Sequence, residues 1–133
     1  MGWGLKLSEL RRAAKIASGH AYCPYSRFPV GAAVLTEDEL IFSGCNVENA
    51  SFGLTVCAER NAIFQAIAHG QRRILAIVIY TPTARPTAPC GACRQVLNEF
   101  GAGATVVCGC NSDLELRKTA SELLPEAFGP ENL

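Results

Sequence analysis

The stretch Ile74–Thr81 (Ile-Leu-Ala-Ile-Val-Ile-Tyr-Thr) constrains the fold more than any other part of the chain. It is apolar and β-branched with almost no alternation, the pattern of a strand buried on both faces. Three prolines, Pro82, Pro86 and Pro89, interrupt the chain after it. Cys90 to Phe100 then reads as a helix closed by Gly101, and Ala104 to Cys108 as another buried strand. A strand, a helix and a strand in that order imply a right-handed parallel crossover.

The rest of the chain fits around that unit. Leu7, Leu10, Ala14 and Ala17 recur at helical spacing ahead of Gly19, so residues near 6 to 18 form an amphipathic helix. Tyr22 to Pro29 is turn-rich. Val30–Leu35 and Leu40–Cys45, either side of the polar Glu37–Glu39, read as a hairpin. Asn46 to Leu54 is a loop. Thr55 to His69 returns to helical spacing, with Gly70 suited to the C-terminal cap. Leu114–Lys118 is a candidate fifth strand, and Ser121–Leu124 a short helix limited by Pro125. The expected fold class is α/β: a mixed central sheet of about five strands covered by helices, in one domain spanning residues 1–133.

Composition narrows the function. Twelve basic residues balance twelve acidic ones, which leaves no Lys/Arg surplus for a nucleic-acid partner. No apolar stretch approaches the ~20 residues needed to span a bilayer. Met1 to Arg12 lacks an apolar core followed by a small-residue cleavage site, so a cytoplasmic protein is expected. The seven cysteines are an odd number; without a leader they suit metal binding or inert thiols better than a disulfide framework.

Two segments carry the chemistry. Thr55-Val56-Cys57-Ala58-Glu59-Arg60 opens one helix, and Ala88-Pro89-Cys90-Gly91-Ala92-Cys93-Arg94-Gln95 opens another. Zinc favours thiolates, and a catalytic zinc keeps three protein ligands and one water; Cys57, Cys90 and Cys93 supply three. Helix N-termini stabilise thiolates through the dipole and the free N–H groups. Glu59 falls in the first turn, where a carboxylate sits beside the metal without ligating it and moves protons. Arg60 and Gln95 are candidates for hydrogen bonds to ligand sulfurs, although a surface helix cation explains Arg60 equally well. On spacing alone a structural zinc closed by Cys108 or Cys110, or a redox Cys-x-x-Cys pair, stays open beside catalytic zinc.

Cys-Ala-Glu-Arg at 57–60 followed by Pro-Cys-Gly-Ala-Cys-Arg-Gln at 89–95 resembles the signature of the small cytidine deaminases. In zinc deaminases at large, a His or Cys and the two cysteines of Pro-Cys-x-x-Cys hold zinc, with a non-ligand Glu as acid and base. The resemblance extends to Cys23–Ala33, Gly44–Ala50, Glu122–Pro125 and Phe128–Pro130. It implies a three-layer sandwich, one Zn²⁺ per chain on Cys57, Cys90 and Cys93, and hydrolysis of cytidine and 2′-deoxycytidine to the uridines in pyrimidine salvage. Zinc-bound hydroxide would attack C4 while Glu59 shuttles protons. It further implies that Asn46 and Glu48 bind the ribose and that Phe28 stacks on the pyrimidine beside Val30. The backbone at Ala58 and Cys90 would read the base. Phe128 would complete a neighbouring subunit's pocket, and Ala50 and Phe52 would lie in a loop crossing the interface, giving a homotetramer with shared active sites.

The remaining residues carry ordinary expectations. Cys23, Cys45, Cys108 and Cys110 are read as buried thiols, His20 and His69 as solvent-facing or locally bonded, and Trp3 as packing.

Overall fold

A computed structural model describes residues 4–133. Along them run α1 (Gly4–Ser18), β1 (Gly31–Thr36), β2 (Ile41–Cys45), α2 (Ala58–Ala68), β3 (Ile74–Tyr80), α3 (Gly91–Gly101), β4 (Thr105–Gly109), β5 (Leu116–Thr119) and α4 (Ala120–Leu123). Trp3 lies outside the described residues.

The sheet order is β2-β1-β3-β4-β5. β3 and β4 pair in parallel, as the apolar runs flanking α3 predict. β1 is antiparallel to both β2 and β3, and β5 is antiparallel to β4. Alternation along the central strands divides the core in two. Ala33, Leu35, Ala76 and Val78 meet Leu10 and Ala14 of α1 on one face. Ala32, Val34, Ile77 and Ile79 meet Ala62, Ile63 and Ala66 of α2 and Leu97 of α3 on the other. Helices therefore cover both faces, giving a three-layer α/β/α sandwich. Each large aliphatic side chain that it buries, such as Leu35 or Ile77, contributes roughly 1.5–3 kcal/mol.

Both ligand-bearing helices are placed by this frame, and α2 starts later than its sequence pattern suggests. Val47 and Val56 exchange backbone hydrogen bonds of 3.0 Å each, which holds the chain extended up to Cys57. Cys57 is thus the N-cap of α2 (φ −70°, ψ 155°). Cys90 plays the same part for α3 (φ −68°, ψ 169°). α2 also lies hard against β2: a Cβ on Gly44 would sit 2.5 Å from the Ala62 nitrogen. Gly70 ends α2 in the left-handed region (φ 88°), as its predicted capping role requires.

β5 begins two residues later than expected, because the Leu114 N–H is taken by the Ser112 hydroxyl at 3.2 Å. α4 starts one residue early behind a reciprocal cap. The Thr119 N–H donates to Glu122 Oε1 (2.8 Å), and the Glu122 N–H to Thr119 Oγ1 (3.2 Å).

Candidate active site and metal centre

The starts of α2 and α3 bring the predicted sulfurs together. Cys57 Sγ lies 3.7 Å from Cys90 Sγ, and Cys90 Sγ 3.4 Å from Cys93 Sγ. All three fall within 4.8 Å of one another. A tetrahedral zinc with Zn–S distances of ~2.3 Å spaces its sulfurs ~3.8 Å apart, so the trio fits one ion and leaves a fourth position open. Among the described residues no fourth ligand type joins this group. Cys108 is fully buried in the core, and the Cys110 sulfur faces Ala84, Ser112 and Leu114. The four-sulfur alternative therefore does not form, and a redox pair alone would leave Cys57 in the cluster unexplained.

Cys57 is the readier thiolate of the pair Cys57 and Cys93. Its thiol is lowered to about 5, first by the hydrogen bond from Cys93, then by those from Arg60 and Cys90, against the effect of burial. The Cys93 thiol is pushed up by the same bond and by burial. Arg60 Nη2 donates to Cys57 Sγ at 3.4 Å, the sulfur contact that its position beside Cys57 suggested. Its Nε is buried with no partner among the described residues.

Glu59 is only 6% exposed. Burial lifts its carboxyl to about 7, the charge of Cys57 adds to the rise, and its own backbone N–H and Arg60 oppose it. A carboxyl in that range both accepts and releases a proton near neutrality, which is what an acid–base group needs.

Beside the sulfurs opens a cleft of about 440 Å³ lined by Phe28, Val30, Asn46, Glu48, Ala58 and Glu59, with Cys57 and Cys90 at its metal end. Asn46 is buried. It donates Nδ2 to the Phe28 carbonyl and accepts at Oδ1 from the Val30 N–H, both at 2.9 Å. Glu48 accepts from the N–H groups of Tyr25 (3.0 Å) and Ser26 (3.1 Å) and from the Ser26 hydroxyl. That hydroxyl bond is the main cause holding its carboxyl below the usual range. Both side chains thus face the cleft while tying the Tyr25–Val30 loop around it.

Ala50 and Phe128, expected at a neighbouring subunit, lie outside this cleft, and Gln95 bonds away from the sulfurs. Ala50 is exposed and outside the cleft. Phe128 is 60% exposed and likewise outside it. Gln95 corrects the expectation of a sulfur contact: its Nε2 donates to the Phe128 carbonyl at 2.8 Å, because the C-terminal segment returns across α3. Of the four thiols expected to be buried, only Cys108 is; Cys23, Cys45 and Cys110 are half-buried. His20 is exposed, and exposed His69 bonds locally, with Nδ1 2.8 Å from the Gln65 carbonyl.

The cleft also has walls to which the sequence assigned no role, namely Ser26, Thr55, Ile79, Thr81, Thr87 and Ala88. Thr87 and Ala88 had a usable signal, since they directly precede Pro89-Cys90. Ser26 lies in the Cys23–Ala33 segment, but its bond to Glu48, 22 residues away, had no local signal.

A sulfur-bound ion able to acidify water, next to a buried carboxyl able to carry the proton, is the equipment of a zinc-dependent hydrolase. Residues 6–110 match the cytidine and deoxycytidylate deaminase zinc-binding region, and the chain belongs to this family of hydrolases acting on carbon–nitrogen bonds. A cytidine deaminase of Sporosarcina psychrophila is 45% identical over 131 residues, covering 97% of this chain and 96% of that one. A cytidine deaminase of Halalkalibacterium halodurans is 50% identical over 114 residues, 85% of this chain and 86% of its own. The crystal structure of cytidine deaminase from Burkholderia pseudomallei matches with a TM-score of 0.87 at 49% identity, over 91% of this chain and 98% of that one. No helix among the described residues is long and apolar enough to cross a membrane.

Proposed function

We propose that the chain hydrolyses cytidine and 2′-deoxycytidine to uridine and 2′-deoxyuridine with release of ammonia, a pyrimidine-salvage reaction. The observation that carries this reading is the buried Glu59 carboxyl beside three clustered sulfurs, in a cleft also lined by Phe28, Asn46 and Glu48.

Cys57, Cys90 and Cys93 would hold zinc, which would supply a Lewis acid for water next to C4 of the cytosine ring. Glu59 accepts the proton that water gives up and delivers it to ring N3, which makes C4 electrophilic. It then takes the remaining proton from the hydroxyl now on C4 and hands it to the departing amine, so that the C4–N bond breaks as the C4 carbonyl forms. Arg60, donating to Cys57, draws electron density from that sulfur and so keeps a three-thiolate site from losing its pull on water. Phe28 and Val30 offer the base an apolar wall, the Ala58 backbone its amide edge, and Asn46 and Glu48 polar atoms for the ribose hydroxyls.

The working assembly is a homotetramer in which Phe128 and the Ala50–Phe52 loop reach a neighbour's cleft. Large apolar side chains left open here, Phe52 at 74%, Leu54 at 66% and Phe128 at 60% exposed, support a covering partner. Residues 1–133 act as one catalytic domain. Seven free thiols suit the reducing cytoplasm, and the balanced charge suits a free nucleoside rather than a nucleic acid.

The test is direct. Zinc-loaded protein mixed with cytidine should lower the cytosine absorbance and release one ammonia per uridine formed; no absorbance change rejects the reading.

A further inference from the structure

The two ligand segments are held in different ways, and the second poses a question. Cys57 is anchored by the Val47–Val56 bridge before it and by Asn61, whose Nδ2 donates to the Cys45 carbonyl at 2.8 Å. Cys90 has no such frame. It is exposed, as are Gly91 and Ala92 after it, so packing does not hold the turn on its α3 side.

One side chain does reach that turn. Arg94 Nε donates to the Pro89 carbonyl at 2.7 Å, and its Nη1 donates to the Leu123 carbonyl at 3.0 Å. Pro89 is buried, and a buried carbonyl needs a partner. The Pro89–Cys90 peptide is one rigid plane, so fixing the carbonyl at one end fixes the direction from which the Cys90 backbone enters α3. The second arm ties the same guanidinium to the end of α4. A planar fork serves two acceptors in fixed directions, which a single ammonium does not.

We infer that Arg94 is a positioning residue for the metal site: it sets the Pro89–Cys90 turn, and through it the Cys90 sulfur, against α4. The inference rests on the reading of Cys57, Cys90 and Cys93 as zinc ligands and assigns Arg94 no contact with substrate. Its action on zinc is through backbone geometry, unlike that of Arg60, which touches a sulfur.

The test measures zinc affinity by competition with a chromophoric chelator, well below the melting temperature and on samples shown to be folded by circular dichroism. Arg94→Ala should bind zinc about 10- to 100-fold more weakly, the usual loss when a group that orients a ligand is removed, and ethylguanidinium should restore part of it. Arg94→Lys keeps the charge and most of the bulk, and decides the matter if the alanine variant fails to fold. It should still lose about tenfold, because one ammonium replaces the fork. A purely structural role would lower the melting temperature of either variant and leave the competition curve alone. Zinc affinity within about twofold of wild type in folded Arg94→Lys, or in folded Arg94→Ala, overturns the inference. Wild-type turnover of cytidine is a separate readout, so failure of the proposed reaction is not confused with failure of this assignment.

Discussion

The starts of α2 and α3 look alike on paper and differ in their surroundings. Each opens at an N-cap cysteine in extended backbone. At α2 the next two residues, Ala58 and Glu59, are buried, and Gly44 of β2 touches the helix backbone. At α3 the next two, Gly91 and Ala92, face solvent. Burial is what lifts the Glu59 carboxyl to about 7, so the proposed proton carrier depends on sitting on the inner helix. The outer helix contributes two sulfurs and no titratable carboxyl at the site, and it draws its order from Arg94 gripping backbone. In the proposed mechanism the α2 start supplies the acid–base group and one sulfur, and the α3 start supplies the other two sulfurs.

Substitutions can break this contrast, and the largest effect is expected at Cys57. Cys57→Ala should lose both zinc and turnover, as metal analysis and the absorbance assay on one sample will show; full zinc retention would point to another ligand set. Glu59→Gln should keep about one zinc per chain while turnover falls ~10²- to 10⁴-fold, the range for a positioned acid–base group. Under the proposed mechanism Glu59 acts in the transition state, so the loss belongs in kcat far more than in KM. A near-wild-type rate would remove Glu59 from the mechanism.

A pH measurement sharpens the same point. After chelation of zinc, Glu59 binds its proton more tightly in the folded chain, about 7, than at the ordinary carboxylate value of 4.5. The folded state holds the extra proton between those values, so its contribution is full below pH 4.5 and is lost as pH rises through about 7. Glu59→Gln should remove that dependence. Chelated Glu59→Gln should therefore be more stable than chelated wild type at pH 8, by on the order of 3 kcal/mol at most, and the gap should close below pH 4.5. Parallel melting curves at all pH values would show that Glu59 is not the group responsible.

The smallest effects separate the helices as packing environments. A Cβ on Gly44 meets backbone atoms of α2 at 2.5–2.9 Å, so Gly44→Ala should destabilise by ~1–3 kcal/mol. A Cβ on Gly91 meets nothing within 4 Å, and Gly91→Ala should be neutral or slightly stabilising, by ~0.4–1 kcal/mol. Equal melting shifts for the pair would erase the distinction between inner and outer starts.

Much of this arrangement was legible in the sequence, for reasons that are local. The unbroken apolar run before Pro82 identifies a doubly covered strand, and Cys-x-x-Cys after Pro89 places two sulfurs on one helical turn. The four-residue group Cys57–Arg60 likewise carries its chemistry within one turn of helix. What was missed depends on distant pairing. The late start of α2 comes from Val56 bonding to Val47, and the anchoring of Glu48 from Ser26. The true partner of Gln95 becomes visible only once the C-terminal segment folds back over α3. The cap before α4 is the exception, because Thr119 and Glu122 carry the Thr-x-x-Glu signal in four residues.

The most direct test of the whole account is zinc-edge X-ray absorption on purified, zinc-loaded protein. Three sulfurs at ~2.3 Å and one light atom at ~2.0 Å are predicted, since the cluster offers three thiols and an open side. Four sulfur neighbours would mean a sealed ion and would contradict it.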